Sequence, residues 1–516
     1  MAWPFFYESD NLSGDKGAEM TDKPSNSPKR YVNDLRRLDY VQNQAHQQIS
    51  YGPLPLIIAG VFLIAAGYFG YVNLDVSAEN VFMLIAAASI GGYMALNIGA
   101  NDVANNMGPA VGANALTMGG AIAIAAVFES AGAMLAGGDV VSTIAKGIIA
   151  PQSMQTASIF IWAMLAALLS AALWVNLATW VGAPVSTTHS VVGGVMGAGI
   201  AAAGFAAVNW PTMYKIAASW VISPVLGGVV AALFLWFIKN RIVYRDDKIS
   251  AARVWVPVLV GIMGGAFSVY LALKGLKKIM KIDFSSALMI GLGLGVIIWL
   301  VMIPVVRKQA EGLENRNKSL KKLFGIPLVV SAALLSFAHG ANDVANAVGP
   351  LAAIVQASAS GGFADAVSIP LWVMAIGALG ISFGLFLFGP KLIRMVGGQI
   401  TKLNPMRAYC VALSAAITVI VASWLGLPVS STHIAVGGVF GVGFFREWDS
   451  QRRMKRARMT VPQAVEQPKE ERRRRKLVRR SHFLTIIAAW VITVPAAATI
   501  SMLIFWIISS YMGGAS

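Results

Sequence analysis

The sequence predicts an all-α integral membrane protein with about 10–12 transmembrane helices, arranged as two inverted repeats with broken helices or re-entrant hairpins. Three observations support this prediction. Uncharged segments long enough to cross a bilayer recur along the 516 residues, two motifs each occur twice, and the basic residues cluster in a few loops. Apolar residues make up 56% of the chain and charged residues only 13%, so most of the chain must lie in lipid.

The uncharged segments indicate helices. A transmembrane helix needs about 20 apolar residues, and uninterrupted runs of this kind are found at 52–71, 81–100, 159–185 and 484–511. Backbone polar groups in lipid must bond within the segment, so runs this continuous favour helices over a barrel. Cys410 is the only cysteine, so neither a disulfide nor a thiolate metal cluster can form within the chain. We expect no structural metal site and no cofactor.

The segment before the first apolar run is polar. Residues 1–50 carry basic side chains such as Arg36 and Arg37. The apolar run that follows is too long, and follows too long a leader, for a typical cleavable signal peptide. We therefore expect 1–50 to be a polar cytoplasmic N-terminal tail and 52–72 to be an extra N-terminal transmembrane helix.

The formal net charge of +17 is concentrated in a few segments between apolar runs. Most basic residues lie at 239–248, 307–322 and 446–480. This distribution is typical of the cytoplasmic loops of membrane proteins, where basic residues set the topology and contact anionic lipid. We therefore expect membrane lipids, and not nucleic acid, as partners of these residues.

Two motifs show that the chain contains an internal duplication. GANDVANN at 99–106 returns as GANDVANA at 340–347, and PVSTTH at 184–189 returns as PVSSTH at 428–433. The separation from the aspartate to the histidine is 87 positions in the first copy and 90 in the second. WVISP near residue 220 also resembles WVITVP near residue 490. Three markers in the same order indicate duplication.

The basic residues predict that the two halves are inverted. If 307–322 lies inside, the second repeat, 326–512, begins inside and its basic loop 446–481 is inside too. The central linker, 241–325, provides two crossings, so the first repeat, 81–240, starts outside. The N-terminus is then cytoplasmic and the C-terminus outside. One loop disagrees, because its lysines would face outward: Lys274, Lys277, Lys278 and Lys281. Inverted repeats are a recurrent plan in secondary transporters, with the site near the midplane.

Two carboxylates are predicted at membrane depth. Asp102 and Asp343 lie in otherwise apolar sequence, where a charge is costly unless it faces a cavity or holds a cation. Amides flank them at Asn101, Asn105, Asn342 and Asn346. Oxygen ligands suit a hard cation such as sodium, and an aspartate alone could take a proton. We predict cation coupling at both aspartates, with Asn101 and Asn342 as further sodium ligands. Alternatively, the amides only bond helix to helix.

Hydroxyl groups are predicted to form the anion site. Each PVS element begins an apolar run with a proline, which is typical of the first turn of a helix. The free amides and hydroxyls of such a turn offer donors and the positive end of a helix dipole to an anion. Alternatively, the hydroxyls are helix caps without a ligand. The predicted donors are Ser186, Thr187, Thr188, Ser430, Ser431 and Thr432, together with the amides Asn101, Asn105, Asn342 and Asn346.

A third acidic residue makes the halves chemically unequal. Glu129 lies in an apolar run, and the corresponding part of the second half lacks a glutamate. We predict that Glu129 takes part in cation coupling; the alternative is a salt bridge at a helix end with Lys146 or a neighbour. His189, His433 and His339 are more typical of side chains that fix hydrogen bonds between helices than of ligands or proton relays.

The two motif pairs contain no arginine. An oxyanion held by neutral donors keeps its charge, so crossing a region of low dielectric requires compensation. Cations bound at Asp102 and Asp343 would supply it. Coupling follows if the anion site is favourable only when the cations are present.

These residues resemble the PiT family of inorganic phosphate transporters. The resemblance rests on the paired GANDVAN elements, the paired PVS elements and the stretch FES at 128–130, and it extends over 81–506. It implies inverted repeats around a central phosphate site and cotransport with sodium or protons. Bacterial members of this type are thought to use protons and to accept neutral metal–phosphate complexes. The resemblance also implies a glutamate before the second PVS element, where this sequence has Ala412.

We therefore expect a symporter, not an enzyme, that moves inorganic phosphate, alone or as a metal–phosphate complex, across a bacterial cytoplasmic (inner) membrane with H⁺ or Na⁺. The alternative is a sulfate or other oxyanion permease of the same fold. A phosphotransferase would need a nucleophile or metal constellation that the sequence lacks, and a passive anion channel would need no coupling cation. The expected partners are inorganic phosphate and membrane lipids; a homodimer is left open as the alternative to a monomer.

Overall fold

The structure is a computed structural model in which the described residues are helical apart from turns and an antiparallel bridge between Ile149 and Val208. The described ranges are 53–73, 81–181, 185–275, 282–360, 369–399, 403–460 and 480–513. Eleven helices within these ranges are long and apolar enough to cross a membrane. The predicted fold class, an all-α membrane protein with about 10–12 spans, is confirmed.

The described residues up to Val243 form eight α-helices. They are α1 (Leu54–Val72), α2 (Val81–Asn101), α3 (Val103–Gly112), α4 (Met118–Ala136), α5 (Gly138–Ser142), α6 (Ala157–Val181), α7 (Thr187–Ala203) and α8 (Trp210–Ile238). Short π-helical turns extend α5 and α8 over Thr143–Gly147 and Lys239–Val243. Helix α1 occupies the segment predicted as an extra helix, and the predicted tail 1–50 lies outside the described residues.

Eight further helices follow. They are α9 (Lys248–Lys274), α10 (Phe284–Gln309), α11 (Asn317–Leu323), α12 (Gly325–Ser360), α13 (Leu371–Gln399), α14 (Pro405–Trp424), α15 (Ser431–Thr460) and α16 (Arg480–Gly513). Helices α9 and α10 lie in the predicted linker, and both are long and apolar enough to cross a membrane. The predicted basic loop 446–481 differs in the structure, because α15 continues through its first part to Thr460; the part at 461–479 lies outside the described residues.

The two copies of the GANDVAN motif differ in backbone continuity. In the first copy Asp102 separates α2 from α3, and the amide of Asn105 bonds to the Asp102 carbonyl oxygen at 3.0 Å, a tight turn. In the second copy α12 runs through Asp343 without a break. Helix α12 is also the central helix, since 89% of its apolar window is buried, against 11% for α10. A broken helix is therefore present at one aspartate only.

The halves interlock through close glycine contacts. A Cβ added at Gly99 in α2 would lie 1.9 Å from the carbonyl oxygen of Ile381 in α13. The equivalent Gly340 in α12 meets the carbonyl oxygen of Glu129 in α4 at 2.1 Å. Each half thus contributes a helix that only glycine allows to approach the other half. This exchange brings the repeated motifs to the middle of the molecule.

The helices that follow the PVS elements are exchanged in the same way. Gly197 of α7 packs against Ala498 of α16, where an added Cβ would lie 2.3 Å from the carbonyl oxygen. Gly441 of α15 packs against Gly228 of α8, at 2.0 Å. Each of these two helices is thereby held against a helix of the other repeat.

Candidate functional site

The candidate site lies where the first turns of α7 and α15 converge. Ser186 caps α7 by accepting the amide of His189 at 3.2 Å, and Ser430 accepts the amide of His433 at 3.4 Å. A capping serine of this kind satisfies one free amide of a helix start. Two helix starts, one from each repeat, therefore present their positive ends to the same region.

The amides of each repeat bind the hydroxyls of the other repeat. Asn105 donates from Nδ2 to the hydroxyl of Thr432 at 2.8 Å. Asn346 donates from Nδ2 to the hydroxyls of Thr187 and Thr188, at 3.2 and 3.1 Å. The equivalent asparagines of the two repeats thus make equivalent contacts with the opposite repeat. The structure therefore brings these five predicted residues together.

Asp102 lies between the two helix starts. It accepts the Thr187 hydroxyl at 2.7 Å on Oδ2 and the Thr432 hydroxyl at 3.2 Å on Oδ1. Its residue surface is only 2% exposed. A threonine hydroxyl has only one proton to donate. Each of these two hydroxyls donates that proton to the Asp102 carboxylate, and its oxygen accepts an N–H from an asparagine side chain.

Asp343 lies in a different environment. The hydroxyl of Ser431 is 3.4 Å from Oδ2, a long hydrogen bond. Nε2 of His339 lies 2.8 Å from the same oxygen, an ion-pair contact whose alignment falls short of a hydrogen bond. Oδ1 has no hydrogen-bond partner among the described residues, although the residue is 1% exposed. A buried carboxylate oxygen without a donor is costly unless a cation binds there.

Glu129 joins this second aspartate through a histidine. Its Oε2 lies 2.6 Å from Nδ1 of His339, and its Oε1 accepts the amide of Asn106 at 2.9 Å. Glu129 and His339 are fully buried. Both ring nitrogens of the histidine therefore face carboxylates, an arrangement that favours the imidazolium form, since both nitrogens then carry a proton. The alternative of a salt bridge with a neighbour describes this Glu129–His339 contact, although the two side chains are fully buried and do not lie at helix ends.

The Glu129–His339 pair has an apolar counterpart in the other half. Because Gly99 and Gly340 make equivalent contacts, Ile381 corresponds to Glu129 and Ile98 corresponds to His339. Both isoleucines are fully buried. The polar pair therefore exists beside Asp343 and is replaced by two isoleucines at the equivalent place beside Asp102.

Two of the predicted asparagines make contacts of another kind. Asn101 donates to the hydroxyl of Thr179 in α6 at 2.7 Å. Asn342 donates to the Ser423 hydroxyl in α14 at 3.0 Å and accepts the amide of Val429 at 3.2 Å. These are helix-to-helix contacts within each repeat. They orient the motifs, whereas Asn105 and Asn346 face the opposite repeat.

A cluster that could hold a cation is present among the described residues. One ligand atom each from Asp102, His339 and Asp343 lie within 4.8 Å of one another. Carboxylate oxygens suit a hard cation such as sodium. Sequence reasoning predicted the two aspartates but not His339, and the one available signal was its position directly before the second GAND element.

The histidines that end the two PVS elements form a second contact between the repeats. The rings of His189 and His433 are 4.6 Å apart, and His189 stacks on Trp220 at 3.7 Å. Nδ1 of His189 lies 2.8 Å from the Ser186 hydroxyl oxygen. These contacts fit the predicted role of fixing helix to helix, behind the hydroxyls that face the site.

Comparison with known proteins agrees with the geometry. A profile described as the phosphate transporter family matches residues 98–501. The chain is 47% identical to a "Putative phosphate permease" of Helicobacter pylori (strain J99), with 90% of this chain and 96% of that protein covered. It is 36% identical to another "Putative phosphate permease", from Thermococcus kodakarensis, with coverages of 82% and 97%.

A solved structure, "The sodium-dependent phosphate transporter", is also similar. It matches with a TM-score of 0.74 and 34% sequence identity, over 83% of this chain and 99% of that chain. The predicted resemblance is therefore confirmed, and with it a multi-pass membrane transporter rather than an enzyme. The chain belongs to the phosphate transporter family.

Proposed function

We propose that the chain is a symporter that moves inorganic phosphate, free or as a metal–phosphate complex, across a bacterial cytoplasmic membrane together with sodium or protons. The observation that carries this proposal is the position of Asp102, whose buried carboxylate accepts hydroxyls from both repeats. The similar solved structure is that of a transporter described as sodium-dependent, which favours sodium as the coupling ion. Asp102 and Asp343 are proposed to hold the cations, with Glu129 beside them.

The proposed coupling follows from competition for hydroxyl protons. Thr187 and Thr432 each have one proton to donate, and both donate to Asp102. A phosphate that takes these donors removes both hydrogen bonds from the buried carboxylate. A bound cation replaces what the carboxylate loses, because a buried carboxylate without partners is strongly disfavoured, and it attracts the anion. Anion and cation therefore bind favourably together and unfavourably alone.

The second aspartate is proposed to differ in its cation requirement. His339 already lies against Asp343 and Glu129. In its protonated form the imidazole offsets one of the two carboxylate charges. The three buried acids carry more negative charge than one imidazolium offsets, so added positive charge is favourable. The most direct place for it is Oδ1 of Asp343, which has no hydrogen-bond partner among the described residues. Two added cations at the three acids and one imidazolium would leave the protein part of the site neutral.

The proposed orientation places the N-terminus in the cytoplasm and the C-terminus outside, following the basic loops. Membrane lipids, and a second copy of the chain if it dimerises, are the further proposed partners. A sulfate or other oxyanion permease remains the alternative, since neutral hydroxyl and amide donors also suit sulfate.

Transport into proteoliposomes tests the proposal. Uptake of radioactive phosphate is measured under separately imposed sodium and proton gradients, with unlabelled sulfate as competitor. We expect uptake that one of the two gradients drives and that excess sulfate leaves largely unchanged. Sulfate uptake without phosphate uptake would refute the choice of anion. Phosphate uptake that persists after both gradients collapse would refute symport.

A further inference from the structure

Three half-buried cations from three helices lie together at the basic end of the bundle. Lys239 belongs to the π-helical turn after α8, Arg407 to the first turn of α14, and Arg446 to α15. The charge of Arg446 acts on both of the others. We call these three side chains the cation row. It joins the first repeat, through α8, to the second repeat, through α14 and α15.

Helix packing places the two arginines towards the same end of a helix pair. Helices α14 and α15 are consecutive and pair as a hairpin, in which a Cβ at Gly438 would lie 3.1 Å from the Ser414 hydroxyl oxygen and 3.3 Å from Val411. Arg407 precedes this contact on α14, and Arg446 follows it on α15. Because the helices run in opposite directions, both arginines lie on the same side of the contact.

Asp449, the carboxylate near the cation row, already has hydrogen-bond and ion-pair partners. Asp449 accepts Nζ of Lys239 at 2.7 Å and the Tyr244 hydroxyl, and Arg453 lies 3.7 Å away. Burial acts to raise the pKa of Asp449, but the hydrogen bonds from Lys239 and Tyr244 outweigh it and hold the pKa below its usual value. Asp449 is therefore a charged partner committed to Lys239 and its neighbours.

The two arginines lack such a partner. Within the part of the chain whose side chains the structure describes, no carboxylate lies at ion-pair distance from the guanidinium of Arg407 or of Arg446. Glu447 attracts Arg446 only at longer range. Like charges that are half-buried and act on each other are unfavourable unless an anion offsets them.

We propose that the cation row binds a phosphoryl oxyanion at the membrane surface, either the headgroup of an anionic phospholipid or free inorganic phosphate. A guanidinium binds two oxygens of such a group at once, so the two guanidiniums suit a tetrahedral anion, while Asp449 holds Lys239 beside them. The start of α14 adds the positive end of a helix dipole beside Arg407.

This binding site is distinct from the candidate transport site. Arg446 lies fourteen residues beyond Thr432 on α15, which corresponds to about 21 Å along the helix. An anion in the row would hold α8 against α14 and α15, and so would bridge the two repeats at one end. Because the first turn of α15 contributes Thr432 to the transport site, occupancy of the row should influence movement of that helix.

The test measures ligand binding to the purified full-length protein in detergent. Short-chain phosphatidylglycerol is the lipid probe, short-chain phosphatidylcholine is its neutral control, and inorganic phosphate is the third probe. The variants are Arg446→Gln and Arg407→Gln, with Arg446→Lys as the variant that keeps the charge. Arg452→Gln is the matched control, since it removes one exposed arginine from the same helix.

We expect phosphatidylglycerol to bind about tenfold more weakly to Arg446→Gln and to Arg407→Gln, with Arg446→Lys intermediate and Arg452→Gln unchanged. If the variants bound inorganic phosphate more weakly but phosphatidylglycerol as well as before, free phosphate would be the ligand of the cation row. Phosphate binding that the variants do not alter belongs to the transport site. If the variants bind both anionic probes as well as the unmodified protein does, or if the unmodified protein binds neither beyond the neutral lipid, the proposal is overturned.

Discussion

Replacing Asp102 by asparagine removes the charge on which the proposed coupling depends while keeping the size of the side chain. The ligand atoms of Asp102, His339 and Asp343 lie within 4.8 Å of one another. Because this limit is about twice a cation–oxygen distance of about 2.3–2.6 Å, the range for hard cations such as calcium, one cation can contact both carboxylates. A cation held there would lie against the charge that the substitution removes.

The size of the effect follows from the separation of the charges in this cluster, which the 4.8 Å limit bounds. Unit charges about 4 Å apart interact by about 4 kcal/mol at an effective dielectric of about 20, and each 1.4 kcal/mol is tenfold in affinity. Asp102→Asn should therefore weaken cation binding by about a thousandfold. It also removes an acceptor from the hydroxyls of Thr187 and Thr432.

The assay is the initial rate of phosphate uptake into proteoliposomes as a function of cation concentration. We expect Asp102→Asn to insert normally and to lose gradient-driven uptake at cation concentrations that saturate the unmodified protein. Asp283→Asn is the matched control, because Asp283 caps α10 at the surface and asparagine is also a good helix cap. Uptake by Asp102→Asn with the same rate and cation dependence as the control would show that the charge of Asp102 does not bind the coupling cation.

Three further predictions follow from the same contacts. Thr432→Val removes the hydroxyl that donates to Asp102 and accepts the amide of Asn105, so KM for phosphate should rise by about tenfold. An unchanged KM would place this hydroxyl outside the anion site. Glu129→Gln and His339→Gln should each reduce the maximal rate of uptake by at least about tenfold, since each breaks the buried pair, and equal activity of both variants and the parent would contradict a role in coupling. Gly340→Ala should lower the melting temperature by overpacking worth about 1–3 kcal/mol, while Gly293→Ala, in open space, should not; equal melting temperatures would contradict the close contact.

Much of the fold could be predicted because membrane-spanning helices are encoded locally. The apolar runs, the helix starts at the PVS elements and the repeated aspartates all depend on neighbouring residues. The basic segment after Arg446 was less predictable. Its composition favours a solvated loop, but the structure continues α15 to Thr460, because a helix end is marked by caps and not by charge alone.

The site could be predicted only in part. Asn105 and Asn346 contact the opposite repeat, as predicted for residues of a site between the repeats. Asn101 and Asn342 lie four residues earlier in the same motifs and bond within their own repeat. Both kinds of asparagine have the same sequence signal. The helix register and the break at Asp102 decide between them, and these depend on packing.

The contact between Glu129 and His339 could not be found from spacing. The two residues are 210 positions apart and meet because α4 and α12 cross at Gly340. Sequence reasoning identified the chemical inequality of the halves at Glu129 but had no means of locating its partner. Interlocked repeats create contacts of this kind that neither repeat contains alone.

The most direct test of the proposed coupling is reciprocal binding at equilibrium. The dissociation constant for phosphate is measured on the purified protein at several sodium concentrations and pH values, and the constant for sodium is measured with and without phosphate. We expect phosphate and its coupling cation to strengthen each other's binding by the same factor, and Asp102→Asn to abolish this effect. Phosphate binding that is independent of both sodium and pH would contradict the proposed coupling.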